Sequence, residues 1–207
     1  MTEKIILFGG TFDPVHTGHI EVARAAAEKI GAKKVILVPA RRSPHKNQKP
    51  LAEDTDRVSM LKLAIAGKDI FQISPIELNR AEPSYTIDTI RQIQQSFGNN
   101  YELYWLIGAD MLSSLSKWYK IDELLNKCNI CVMNRGGFDK PDFDSLAAKF
   151  SKENIEKLRK NSIETPAIEI SSTEIRQKLF NDEDASRYLH PEVLNYIRTR
   201  RLYTATD

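Results

Sequence analysis

Only two cysteines occur in 207 residues. That is too few for a disulfide framework, and a reducing cytosol is the expected compartment. No apolar run is long enough to span a bilayer, and the first residues lack a basic-then-apolar targeting pattern. The chain therefore reads as cytoplasmic. Charge of one sign is missing too: 30 Lys and Arg stand against 28 Asp and Glu, a formal net charge of +2. Such a balance favours neither a nucleic acid nor a membrane as partner. There is no internal repeat and no low-complexity segment. The length fits one domain over 1–207, with a small helical part from about residue 171. A hydrophobic share of 41% is enough for a sizeable core.

What is present is an alternation of two periods. KIILF (4–8), KKVILVPA (33–40), FQIS (71–74), YELYWLIG (101–108), NICVMNR (129–135) and AIEI (167–170) are short apolar runs that read as strands. Between them, HTGHIEVARAAAEKI before Gly31, DTDRVSMLKLAIAG, Thr86 to Phe97 before Gly98, and short pieces up to Lys127 read as helices. Residues 142 to 160 look helical and, being highly charged, are expected on the surface. SSTEIRQKLF and PEVLNYIRTR close the chain as helices, with Pro191 in a first turn. This order predicts an α/β, Rossmann-like, doubly wound and mostly parallel sheet with helices on both faces. In such sheets ligands bind beyond the carboxyl ends of the strands, near the point where strand order reverses.

The stretch GGTFDPVHTGH, residues 9 to 19, sits at such an end. Gly9 and Gly10 would let the backbone turn sharply and approach a ligand. The helix that follows offers free N–H groups and a positive dipole end to an anion. His16 and His19 are three apart and face one side of its first turn. They could donate to phosphate oxygens, or bind a metal, although no third ligand of clear spacing accompanies them. The turn is neither the dinucleotide fingerprint nor a P-loop. In ISSTEIR, residues 170 to 176, Ser171 and Glu174 have capping-box spacing, and Arg176 adds forked donors one turn inside the helix.

GGTFDPVHTGH resembles the signature of the H-x-G-H nucleotidyltransferase superfamily, in detail that of the bacterial nicotinate-nucleotide adenylyltransferases. ISSTEIR resembles the second superfamily motif. The resemblance implies transfer of the adenylyl group of ATP to nicotinate mononucleotide, with Mg²⁺ arriving on the ATP and no metal held by side chains. It implies that His16, His19 and Arg176 serve catalysis. Gly9, Gly10, Thr11, Phe12, Gly108, Asp110, Arg135, Ser172 and Thr173 are then expected around ATP.

Three further segments match those enzymes in order and spacing. SPHK puts His45 and Lys46 in a basic loop suited to a mononucleotide phosphate. PSYT puts Ser84, Tyr85 and Thr86 at a helix start suited to a carboxylate. Trp118, in a polar and broken region, offers a face for stacking on a pyridinium ring. A related adenylyltransferase acting on nicotinamide mononucleotide or phosphopantetheine, and a non-catalytic nucleotide-binding regulator, stand as alternatives. Cys128 and Cys131 read as core residues. Oligomeric state is not fixed by sequence, so a homo-oligomer stays open.

Overall fold

The first apolar run becomes the central strand β1 (Glu3–Gly10). The computed structural model describes residues 2–41, 50–98, 100–135, 141–165 and 170–204. β1 is flanked by β2 (Lys34–Pro39) and β4 (Tyr101–Gly108); β3 (Phe71–Ile73) lies outside β2, and β5 (Asn129–Arg135) and β6 (Ser162–Thr165) lie outside β4. Every pairing is parallel, in the order β3-β2-β1-β4-β5-β6.

Because both faces of a parallel sheet are covered, its strands are apolar without interruption, and the two-residue period decides which side each residue packs on. Ile6, Phe8, Val35, Leu37, Tyr104, Leu106 and Met133 point to one face. Packed there are α1 (Thr17–Ile30), α2 (Asp54–Ala64), α7 (Ser172–Phe180) and α8 (Pro191–Thr199). Ile5, Leu7, Ile36, Val38, Leu103, Trp105, Ile107 and Val132 point to the other. That side is covered by α3 (Thr86–Phe97), α4 (Leu112–Leu115), α5 (Ile121–Lys127) and α6 (Lys152–Lys160). Cys131 packs in the first core and Cys128 in the second; both are buried and free. Burial pushes the Cys131 thiol up to about 12 and raises Cys128 as well.

Two expectations are corrected. The sixth strand is Ser162–Thr165 rather than 167–170; residues 166–169 lie outside the described residues, and Ile170 is not in a strand. Residues 142 to 160 are not one surface helix. A short 3-10 turn at Asp144–Leu146 precedes α6, and Phe143, Leu146, Phe150, Ile155 and Leu158 are buried in the second core. Charge dominates the composition there, but the apolar minority falls on one face, which is what packing reads.

The helix ends follow their local chemistry. α1 stops at Gly31, whose φ of 72° is left-handed, with Ala32 N–H bonded to the Ala27 carbonyl at 2.9 Å. Ser151 caps α6 by accepting from Asn154 N–H at 3.2 Å. α2 carries an arginine with no accessible side-chain surface. Arg57 donates through Nη1 to the Thr11 carbonyl at 2.7 Å and through Nη2 to Asp54 at 2.5 Å. It ties α2 to the segment leaving β1. Arg57→Met removes a charged donor from that carbonyl. The substitution is expected to lower the unfolding free energy by about 2 kcal/mol, measured in urea; an unchanged midpoint would show that the tie carries no stability.

Candidate functional site

β1 and β4 are neighbours, but the chain leaves them in opposite directions, β1 toward β2 and β4 toward β5. A crevice therefore opens beyond Gly10 and Gly108. It is a cavity of about 700 Å³, a size typical of small-molecule sites. His16, His19, Asp110, Trp118, Thr86, Ser172, Thr173 and Arg176 all line it. Residues from the two ends of the chain thus share one space.

The glycines have a different reason from the one expected. Gly9 and Gly10 are the last residues of β1, paired with Val38 and Pro39, and make no turn themselves. A Cβ on Gly9 would lie 2.4 Å from the Trp105 ring, and one on Gly10 2.8 Å from the Phe12 ring. The sharp turn falls at Phe12, with φ of 50°. A bulky residue accepts that conformation only where its surroundings impose it. Phe12 is 1% exposed, edge-on to Phe8 at 5.6 Å and to His19 at 5.1 Å between ring centres.

His16 is the N-cap of α1 and is buried. Its backbone N–H donates to Nδ1 of His19 at 3.2 Å, and the two rings stack with centres 3.7 Å apart. An Nδ1 that accepts leaves the proton of a neutral imidazole on Nε2. The bond therefore fixes the tautomer in which His19 donates through Nε2.

The second motif docks directly on the first. Ser171 caps α7 as its spacing predicts, with Glu174 N–H bonded to its hydroxyl at 3.2 Å and its own N–H bonded to Glu174 at 2.8 Å. The Ser171 hydroxyl, which donates to the Glu174 carboxylate at 2.7 Å, and the Ser171 N–H together hold that carboxyl below its ordinary value. Arg176 donates to the Asp13 carbonyl at 2.7 Å and to Thr173 Oγ1 at 3.2 Å. The Ser172 hydroxyl donates to the Pro14 carbonyl at 3.0 Å, so it is the N–H groups of this helix start, more than that hydroxyl, that face a ligand. Asp110 stands exposed above Gly108, where a Cβ would meet its Oδ1 at 2.2 Å.

On the far wall, Tyr85 is the N-cap of α3, with Thr86 in its first turn. Trp118, expected outside the core, is 9% exposed and packs in it, while still lining the cavity. Tyr119 beside it stacks on Tyr85 at 4.4 Å. His45 and Lys46 lie outside the described residues, and Arg135 ends β5.

Sequence reasoning missed the support beneath this wall. Glu77 is 5% exposed and lines the cavity. Arg80 donates to the Ser84 hydroxyl at 2.5 Å and to Thr89 Oγ1 at 3.0 Å. Thr89 in turn donates to Glu77 at 2.7 Å, and Ser84 bonds the same carboxylate. The two charges are thus joined through hydroxyls of α3 and the turn before it. Nothing in ELNRAEPSYT announces this, because the pairing depends on the turn that folds Glu77 and Arg80 back on α3. Asp13 and Arg57 were missed for the same reason: each finds a decisive partner tens of residues away, Tyr203 for Asp13 and the Thr11 carbonyl for Arg57.

Burial raises the Glu77 carboxyl above its ordinary value of 4.5, outweighing the pull of Thr89 and Arg80. The folded state then holds this proton more tightly than the unfolded one. Its contribution to stability is greatest in acid and declines as pH rises from 4.5 through the raised value. Glu77→Gln should remove that decline. The stability of the variant relative to wild type is expected to increase with pH across this window in urea titrations, and a constant difference would contradict the assignment.

Comparison with known proteins agrees with this geometry. The Cytidylyltransferase-like family description matches residues 7–178. A protein of Chromobacterium violaceum named "Probable nicotinate-nucleotide adenylyltransferase" is 36% identical over 211 residues, covering 98% of this chain and all of that one. One of the same name from Moorella thermoacetica is 36% identical, covering 97% and 91%. The fold is shared with the Plasmodium falciparum nicotinic acid mononucleotide adenylyltransferase, solved with NaAD and with APC. There the TM-score is 0.72, with 20% identity and 97% of each chain covered. Identity at this level, running nearly end to end, means that the chain belongs to the Cytidylyltransferase-like family and to the nicotinate-nucleotide adenylyltransferases.

Proposed function

We infer that this protein transfers the adenylyl group of ATP to nicotinate mononucleotide, giving nicotinate adenine dinucleotide and pyrophosphate. One observation carries the reading: Arg176 of α7 is bonded to Asp13 inside the opening motif, so both motifs serve one cavity. A phosphate oxygen of the mononucleotide attacks the α-phosphorus of ATP in line. The bond to the bridging oxygen breaks and pyrophosphate leaves. A phosphate monoester is already an anionic nucleophile at neutral pH, so no general base is required. Catalysis is then orientation and charge stabilisation.

His19 donates through Nε2 to the triphosphate, beside His16, Arg176 and the N–H groups at the start of α7 and α1. Gly9, Gly10, Thr11, Phe12, Gly108, Asp110 and Arg135 complete the ATP side, with Ser172 and Thr173. Mg²⁺ arriving on ATP neutralises part of the triphosphate charge. Asp110 is exposed and fits its water shell, whereas the Asp13 oxygens are taken by Leu51, Ala52 and Tyr203. On the other side, Trp118 stacks on the pyridinium ring, and the turn at Ser84, Tyr85 and Thr86 receives the nicotinate carboxylate. His45 and Lys46 serve the mononucleotide phosphate. Two buried free thiols fit a reducing compartment, the cytoplasm.

Mixing the protein with ATP and Mg²⁺ and, separately, nicotinate mononucleotide, nicotinamide mononucleotide or phosphopantetheine should release pyrophosphate with the first. Absence of release with all three overturns the reading. His19→Ala should lower kcat by about 10² to 10³, as for loss of one preorganised donor. It should cost only about 1 kcal/mol of stability through the bond to His16 N–H. An amide would turn its NH₂ toward a donor of the Tyr85–Thr86 turn and leave it unpaired. A kcat/KM ratio of roughly ten- to a hundredfold in favour of the acid is therefore expected. Equal ratios would remove the carboxylate role from this turn.

A further inference from the structure

Asp13 lies in the middle of the opening motif and lines the cavity, yet it is only 3% exposed. Its carboxylate is surrounded by donors from distant parts of the chain. Leu51 N–H bonds Oδ2 at 2.8 Å; Ala52 N–H and the Tyr203 hydroxyl bond Oδ1 at 3.1 and 2.7 Å. Arg176 does not close on this carboxylate. Its Nη1 sits on the Asp13 backbone carbonyl and stays 3.9 Å from Oδ2. An arginine beside a buried carboxylate ordinarily forms a short forked pair. Here Oδ1 already carries two donors and Oδ2 one, which offset much of the negative charge, and the arginine side chain keeps 23% of its surface exposed.

We propose that Tyr203 is a positioning residue for adenylyl transfer: by occupying the Asp13 carboxylate, it leaves the Arg176 guanidinium to the nucleotide phosphates. The proposal rests on the function inferred above. A carboxylate offers about four acceptor positions. Without the phenol, Oδ1 keeps only the Ala52 N–H, and the charge of Asp13 competes with ATP for Arg176. Burial and the adjacent Asp13 hold the Tyr203 phenol above its ordinary value, so it remains a donor at neutral pH.

The fold supplies its own control. Tyr196 of α8 donates to Asp56 at 2.8 Å, and that carboxylate is also buried, with a side chain 6% exposed. Asp56 does not line the cavity. Tyr203→Phe and Tyr196→Phe therefore delete the same bond chemistry, one beside the site and one away from it.

The test is calorimetric titration of ATP-Mg²⁺ into each full-length variant, with melting temperatures and steady-state rates in parallel. Tyr203→Phe should weaken ATP about five- to tenfold, raising KM for ATP more than it changes KM for nicotinate mononucleotide. Tyr196→Phe should lower the melting temperature similarly and leave ATP affinity unchanged. Replacing Tyr203 by 4-aminophenylalanine, which keeps a donor in place, should recover most of the loss. Should Tyr203→Phe prove too unstable to titrate, 4-fluorophenylalanine fills the same space without donating and takes its place. Equal losses of stability in both variants, with ATP affinity untouched, would reduce Tyr203 to a structural prop and overturn the proposal. An inactive wild type would instead overturn the function, so the two failures are distinguishable.

Discussion

Parallel pairing of β1 with β2 on one edge and β4 on the other is the constraint on which everything else rests. A parallel strand must be followed by a crossover, and crossovers of the same hand from neighbouring strands leave toward opposite ends of the sheet only where the order reverses. At that place no helix can cover the strand ends, and backbone groups face outward. The protein fills the gap with side chains from far along the sequence. Arg176 and Ser172 come from α7, Trp118 from the segment after α4, and Thr86 from the start of α3. The crevice follows from topology; its chemistry follows from which helices begin beside it.

Two kinds of positive field meet there. Helix starts contribute N–H groups that cannot be paired within their own helices. Arg176 contributes a fixed fork. A buried negative group, Asp13, sits among them without collapsing the arrangement, because its oxygens are held by Leu51, Ala52 and Tyr203. A site for a polyanion needs cations that are held but not neutralised. The contact of Arg176 with a carbonyl instead of a carboxylate meets that need.

The elements most legible in the sequence were those whose pattern is local. Short apolar runs, three of them closed by glycine, gave five of the strands close to their observed limits, and the Ser171–Glu174 spacing gave the cap of α7. Legibility failed where composition and packing disagree. Residues 142 to 160 look like a solvated helix because lysines and glutamates outnumber Phe143, Leu146, Phe150, Ile155 and Leu158, yet those five close the second core. Short β6 sits at the sheet edge, where few apolar residues are needed, and its SIET carries almost no strand signal. Within the site, His16, His19 and Arg176 were visible as motifs. Glu77, Arg80, Arg57 and Asp13 were not, since each acquires meaning only from partners that the fold brings near. The glycines were visible but for another reason: the rings of Trp105 and Phe12 fill the space that a side chain would need.

The placement of Cys128 and Cys131 has a practical corollary. The two thiols are sealed on opposite sides of the sheet, both shifted far toward the neutral form. Maleimides and other thiolate-seeking reagents have little to attack in the native fold. A single cysteine introduced at an exposed position could therefore be labelled with a fluorophore or spin probe without first removing the natural pair.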